Sequence, residues 1–352
     1  QIKASVKTHF GIQLPGTSDK DFKKALQRYP DKTGFKDFYE NLIDLRTATK
    51  ARSTYVTSIL KKVRNGRVHP TFKIHGTTSG RLSSSGPNLQ NITNSSEGTL
   101  SVRKMYVPAK GSVLVGADFS QAELRTMAEL CGDPQMISDL QEDSPDFFNN
   151  LTPKIFPDVN FDEEPLSLYR RKGKVTVYGT SYGLTCISIA ENLTLDGHPT
   201  SVEEAAKIQD NYLGAYPGLQ AWRENTMPLV LAGDDLVTPF GRRFQQDVII
   251  NDWRVLSRTQ NQAWAFRPQS IASDICLRAA MWVWDEFQSN RRYRECHIVA
   301  LVHDAIYCEV PEELGEEVLE IVQRNMRKSG AMTFHRVPFL ASGDIGYNWD
   351  EV

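Results

Sequence analysis

Two short apolar runs, 113 to 117 and 298 to 302, stand out from a mixed background, and each leads to an aspartate: Asp118 in Val-Gly-Ala-Asp-Phe-Ser-Gln and Asp304 in Leu-Val-His-Asp-Ala. Runs this short and this rich in Val, Ile and Leu predict buried strands. A third run, 306 to 310, follows so closely that the last two predict a hairpin with Asp304 in its turn. Over 20 to 62 the apolar positions fall at helical spacing (Phe38, Leu42, Leu45, then Tyr55, Ile59, Leu60), and the basic turn Arg64-Asn65-Gly66-Arg67 follows. Ser120 with Glu123 three residues on predicts a capping box opening a helix from Gln121 to Cys131, which Gly132-Asp133-Pro134 stops. A mostly helical middle is expected from 135 to 231, with breaks around Pro153 to Pro165 and Gly197 to Pro199. A β-like reversal at Thr238-Pro-Phe-Gly-Arg-Arg and a long helix from Gln269 to Ser289 complete the pattern, with no internal repeat.

An ionised carboxylate at the end of a buried strand is costly unless a cation or a hydrogen-bond network replaces its lost water. Two of them, distant in sequence but alike in placement, predict sheet neighbours that share Mg²⁺, an ion that takes one or two carboxylates and leaves its other positions to water and phosphates. The plainer alternative is that each aspartate caps a turn or a helix.

The 352 residues, 40% of them hydrophobic, suffice for two or three compact units. No apolar run approaches the ~20 residues of a membrane span, and the start, Gln-Ile-Lys-Ala-Ser-Val-Lys, has no signal-peptide core. An intracellular location is expected, in the cytoplasm or nucleoid, with an organelle or a virus-infected cell as alternatives. The first residue, Gln rather than Met, reads as a processed end or as part of something longer. The five cysteines (131, 186, 276, 296, 308) lack metal-ligand spacing and read as reduced core thiols.

The net charge of −2 hides an asymmetry. From Leu45 to Ser96 there is no acid, while Arg46, Lys50, Arg52, Lys61, Lys62, Arg64, Arg67, Lys73 and Arg81 are basic. Such a stripe suits a phosphate backbone, the alternative being a solvated basic face. Acids gather instead at Glu309, Glu312, Glu313, Glu316, Glu317 and Glu320, a segment expected to face away from nucleic acid.

Residues 76 to 99 are polar and too selective in composition for a linker. Within them Arg81, Asn88, Gln90 and Asn91 are hydrogen-bonding side chains suited to the acceptors that every base pair presents in the minor groove, although a surface loop would also account for them. Thr78-Ser-Gly-Arg-Leu-Ser-Ser-Ser-Gly-Pro-Asn-Leu-Gln-Asn91 resembles a motif of family A DNA polymerases, the bacterial DNA polymerase I group. Asp118-Phe-Ser-Gln-Ala-Glu-Leu-Arg125 resembles that family's motif A. Arg170-Arg-Lys-Gly-Lys174-Val-Thr-Val-Tyr178-Gly-Thr-Ser-Tyr182-Gly resembles motif B, and His303-Asp304-Ala305 motif C. The likeness runs from about Arg52 to the closing Gly-Tyr-Asn-Trp-Asp. It departs at Ala305, where the family usually has Glu, and at Ala265, where many members have Asn.

The resemblance implies an α/β right-hand polymerase fold: a partial helical thumb (1–62), an antiparallel-sheet palm (63–135 and 258–352) and helical fingers (136–257). It implies template-directed DNA synthesis on a primer-template with dNTPs and two Mg²⁺ ions, held by Asp118, Asp304 and the Phe119 carbonyl. Arg170 and Lys174 would meet the triphosphate and serve catalysis with the two aspartates. Gln121, Glu123, Tyr178, Tyr182 and His303 would surround the nucleotide, and Arg81, Asn88, Gln90, Asn91 and Gln269 the DNA. Each single residue has a plainer role: capping for Glu123, a turn for His303, core packing for Tyr182. Lys174 to Tyr178 alternates like a strand, and the resemblance alone makes it helical. Upstream of Arg81 no carboxylate cluster suits a 3′-5′ exonuclease, so no proofreading is expected within this sequence. An exonuclease or helicase-like domain or partner is expected outside it. The alternatives are a single-subunit RNA polymerase, sharing motifs A, B and C, and an inactive polymerase-shaped DNA-binding protein.

Overall fold

The structure, a computed structural model, describes residues 1–92, 101–144, 146–244 and 252–352. The end of the polar 76–99 stretch, from 93 on, lies outside these residues. The chain opens with helices α1 (Ile2–Phe10), α2 (Asp19–Arg28) and α3 (Phe35–Lys50), a π-wound stretch (Ala51–Thr57) and the short α4 (Ser58–Leu60). Helical spacing over 20–62 therefore marks several helices rather than one. Pro30 supplies no amide, and Gly34, at φ 74°, starts α3 in the left-handed region. Their apolar faces close on Val6, Ile12, Leu14, Phe22 and Phe35. Lys20 and Lys24 tie this unit to Glu191 of a later helix.

Two hairpins follow: β1 (Val63–Arg64) with β2 (Arg67–Val68), and β3 (Thr71–Lys73) with β4 (Ser83–Ser85). The first turns on Asn65 (φ 53°) and Gly66 (φ 75°), the pair of positive angles that a two-residue hairpin turn favours. The long strand β5 (Ser112–Phe119) then leads into α5 (Ala122–Cys131). Helices α6 (Pro134–Asp139), α7 (Phe147–Ile155), α8 (Leu166–Ser181), α9 (Cys186–Leu195), α10 (Val202–Ala215) and α11 (Pro217–Leu231) build a helical unit. Its core includes Leu124, Met127, Phe147, Phe148, Val177, Tyr212 and Tyr216. Pro153 sits inside α7, so that break begins after Ile155. The segment Lys174 to Tyr178 is helical: Gly173, Thr176, Val177 and Thr180 bury one side of α8, and this packing overrides the β-branched propensity.

The expected reversal forms β6 (Leu236–Val237) and β7 (Arg243–Phe244). Helix α12 (Trp253–Ser289) begins well before Gln269, because Pro268 is carried inside a helix whose mixed outer face hides its start from periodicity. Then come β8 (His297–Val302), β9 (Ala305–Pro311), α13 (Gly315–Thr333) and β10 (Ala341–Gly346). The central sheet is antiparallel throughout, in the order β10-β5-β9-β8.

Strand alternation decides what faces where. Val113, Val115, Ala117 and Phe119 of β5, with Ile306, Cys308 and Val310 of β9, join Ile271, Ile275 and Val283 of α12 and Val318, Val322 and Met326 of α13 in the main core. The intervening positions, among them Asp118, Tyr307 and Glu309, therefore lie on the opposite face. All five cysteines are free thiols. Among the described residues no helix is long and apolar enough to cross a membrane.

Candidate active site

The register pairs Asp118 with Ala305, so Asp304, in the turn just before β9, lies next to Asp118 although helices α5 to α12 intervene between them in the chain. Val302 pairs with Ala305 across a two-residue turn, and His303 takes φ 55° to make it. Burial pushes both carboxyls up, Asp118 to about 7, and the neighbouring Asp304 charge raises Asp118 further. Asp118 also opens to the cleft, and water there tempers the effect. Neither aspartate has an ion-pair partner among the described residues. Among those residues, too, no group of three or more His, Cys, Asp or Glu is placed to hold a metal ion. The donor set is thus two carboxylates, which suits Mg²⁺ completed by water and phosphate better than zinc.

Around this pair the turn after β5 is fixed from behind. Arg125, only 5% exposed, donates from Nε to the Ser120 carbonyl at 2.8 Å and from Nη1 to the Leu140 and Pro338 carbonyls at 2.7 and 2.6 Å. Ser120 does not cap α5: Gln121 occupies the cap position at φ 56°, and its side chain does not cap the helix. The predicted capping box is therefore absent, and Glu123 pairs instead with Arg81. Burial raises the Glu123 carboxyl while Arg81 opposes that rise. Just before Arg81, Gly80, at φ 76°, lies against the Arg242 guanidinium, where a Cβ would come within 2.2 Å of Cζ. Arg242 is in turn held by Asp274 of α12.

On α8, Arg170, Lys174 and Tyr178 stand four residues apart, with Tyr182 just beyond the helix. Arg170 pairs with Asp146 at 2.9 Å, whereas Lys174 is exposed and has no ion-pair partner among the described residues. The Tyr178 hydroxyl is pushed up to about 12, chiefly by burial and then by the Glu123 and Asp304 charges, which places it electrostatically beside the carboxylates. The Tyr182 hydroxyl is buried without a partner.

The proposed DNA-facing residues fall into separate places. Asn88, Gln90, Asn91 and His303 line a depression of about 670 Å³ with Lys50 and Lys62. There the Asn88 side-chain oxygen caps Gln90, and the Gln90 amide donates to the Leu301 carbonyl at 3.3 Å. Gln269 shares another hollow, of about 620 Å³, with Tyr182 and Ala265. Sequence reasoning missed the exposed Trp253, Arg254 and Arg258 in that hollow, because it began α12 too late. It also missed Asp146, although an acid before Phe147-Phe148 is a helix-start signal. The basic stripe is not wholly open: Arg67 forks onto Glu309 at 3.1 and 2.8 Å, so Glu309 turns toward the stripe rather than away from it.

A family model described as DNA polymerase family A matches residues 16–351. The DNA polymerase I of Caldicellulosiruptor bescii is 32% identical over 314 residues, covering 88% of this chain and 35% of the relative. That of Pseudomonas aeruginosa is 30% identical over 317 residues, covering 88% and 33%. The chain spans about a third of the length of these relatives. Among solved structures, the polymerase domain of Pol1 from M. smegmatis, in complex with DNA primer-template and dNTP, superposes with a TM-score of 0.85 at 26% identity, over 99% of this chain and 60% of that one.

Proposed function

The chain belongs to DNA polymerase family A, and from that premise we propose that it extends a DNA primer along a template with dNTPs. The observation that carries this reading is the Asp118–Asp304 pair, presented by adjacent strands on the cleft face of an antiparallel sheet with no ion-pair partner for either carboxylate among the described residues. The M. smegmatis domain, solved with primer-template and dNTP, supports the same reading of this chain's cleft. The sheet-bearing parts, 63–135 and 258–352, act as palm, 136–257 as fingers and 1–62 as a partial thumb. The fingers-to-palm boundary falls within α12.

Asp118 and Asp304, with the Phe119 carbonyl, would hold Mg²⁺; two bound ions supply the positive charge that acidifies a primer 3′-hydroxyl and stabilises the departing pyrophosphate. Arg170 and Lys174 neutralise the triphosphate, and their spacing on α8 presents both cations to one ligand. Tyr178 and Tyr182 continue that line toward sugar and base, with Gln121 and His303 at its margins. Glu123, held by Arg81, would exclude a ribose 2′-hydroxyl and so select deoxynucleotides. Arg81, Asn88, Gln90, Asn91 and Gln269 meet minor-groove acceptors, which report base-pair geometry without reading sequence.

Primer extension with dNTPs and Mg²⁺ tests the reading. The wild type should extend, while Asp118→Asn and Asp304→Asn should keep DNA binding and lose extension by several orders of magnitude, the scale of the electrostatic work at a metal-assisted centre. Near-normal extension by either mutant refutes the assignment. Ala305 motivates the second reading, an inactive DNA-binding protein: retention of primer-template by a wild type that never extends it would establish that instead.

A further inference from the structure

Arg170 is held more tightly than a surface arginine needs to be. Its Nη2 donates to Asp146 Oδ1 at 2.9 Å, and its Nε lies 3.3 Å from the same oxygen and 3.1 Å from Asn149 Oδ1. Beneath it lies the buried Phe148 ring, 5.6 Å from the guanidinium carbon. Two donors and one face of the fork are thus occupied, and among the described residues Nη1 has no hydrogen-bond partner. The carboxylate that grips the fork is itself anchored. Asp146 Oδ1 accepts from the Phe148 and Asn149 amides, both at 3.1 Å, which caps α7. Its Oδ2 accepts from Gln121 Nε2 at 3.4 Å. Gln121 belongs to the turn that leads out of the Asp118 strand.

We propose that Asp146 is the positioning residue for anion recognition by Arg170: it holds the guanidinium by Nε and Nη2, leaves the Nη1 edge for the terminal phosphates of a nucleoside triphosphate, and through Gln121 sets that edge relative to Asp118. The inference rests on the reading above that Arg170 faces the triphosphate. A guanidinium gains from being fixed because its planar donor pattern matches phosphate only in a narrow range of orientations. A carboxylate merely competing for Arg170 would have the opposite effect, weakening phosphate binding.

Asp146→Ser separates the tie from the cap, since Ser caps helices about as well as Asp but is too short to reach Arg170 and Gln121 together. The expected result is a rise of about two- to five-fold in KM for dNTP, the size of a half-exposed ion pair, with the effect on KM rather than kcat. Inhibition by inorganic tripolyphosphate should weaken by the same factor, a change that loss of a helix cap alone would not produce. In an Arg170→Ala background Asp146→Ser should add nothing. If Ser destabilises the fold, Asp146→Asn, which keeps the capping oxygen and removes the charge, should show the same direction with a smaller change. An active wild type whose KM and tripolyphosphate inhibition stay put, or tighten, in both variants overturns this inference and leaves the polymerase reading intact. A wild type that extends no primer defeats that reading instead, and tripolyphosphate binding followed by thermal shift then tests the Asp146 tie by itself.

Discussion

Tyr178→Phe removes one oxygen from the centre of the proposed nucleotide site. The ring is half-buried, 6.0 Å from Phe148, and its hydroxyl makes no hydrogen bond among the described residues. Nothing internal is lost with that oxygen, so stability should move by no more than about 0.5 kcal/mol. Since burial and the Glu123 and Asp304 charges push the phenol up to about 12, it stays a neutral donor at any working pH. A dideoxynucleotide lacks the 3′-hydroxyl, and in a closed site the phenol can take over the hydrogen bond that this group would make. An unmet bond there costs about 1–3 kcal/mol. At about 1.4 kcal/mol per decade, Tyr178→Phe should therefore raise discrimination against ddNTPs by roughly 5- to 140-fold. The measurement is the ratio of kcat/KM for dNTP to that for ddNTP in wild type and mutant, with melting temperature as a control. Equal ratios in two equally stable proteins would refute the placement of Tyr178 at the nucleotide sugar.

Two further outcomes concern stability. Gly343→Ala would set a Cβ 2.2 Å from the Gly116 carbonyl oxygen and 2.9 Å from the Ala117 Cα, both backbone of β5. It should cost about 3 kcal/mol and, because Ser342 pairs with Asp118, impair extension too; a melting temperature within error of wild type would refute the close approach. In a chelator, melting temperature should fall as pH rises from about 5.5 to 8, because a carboxyl raised in the folded state contributes stability below its unfolded value of 3.8 and loses it through about 7. Asp118→Asn should flatten that slope, and an equal slope in wild type and mutant would show that Asp118 titrates normally.

The strands were legible because the carboxylates end runs that alternate between a helix-covered face and a cleft, and a buried run must be nearly all apolar on one side. Helix α8 was legible only through the family resemblance, since its β-branched residues point the other way and tertiary packing decides. The Ser120–Glu123 spacing suggested a capping box, but Arg125 holds the Ser120 carbonyl and Gln121 takes the left-handed angle. Arg81 with Glu123, Arg67 with Glu309, and Arg170 with Asp146 are long-range pairs. No local pattern encodes such pairs, because each depends on how separate elements dock.

The sheet order has a consequence for assembly. Strand β5 meets β9 only after the chain has run out through α5 to α12 and back, so residues 120 to 296 form one large excursion between the two aspartates. The entropy of closing such a loop grows only logarithmically, about 0.6 kcal/mol for each doubling of length. The excursion can therefore lengthen, shorten or exchange helices at little thermodynamic cost to the carboxylate pair. Kinetically the same arrangement works against the pair, since long-range strand pairing is slow and local helices form first. A chain halted before β5 and β9 join would carry most of its helices, yet bring no two aspartates together and bind a divalent cation no better than an unfolded one.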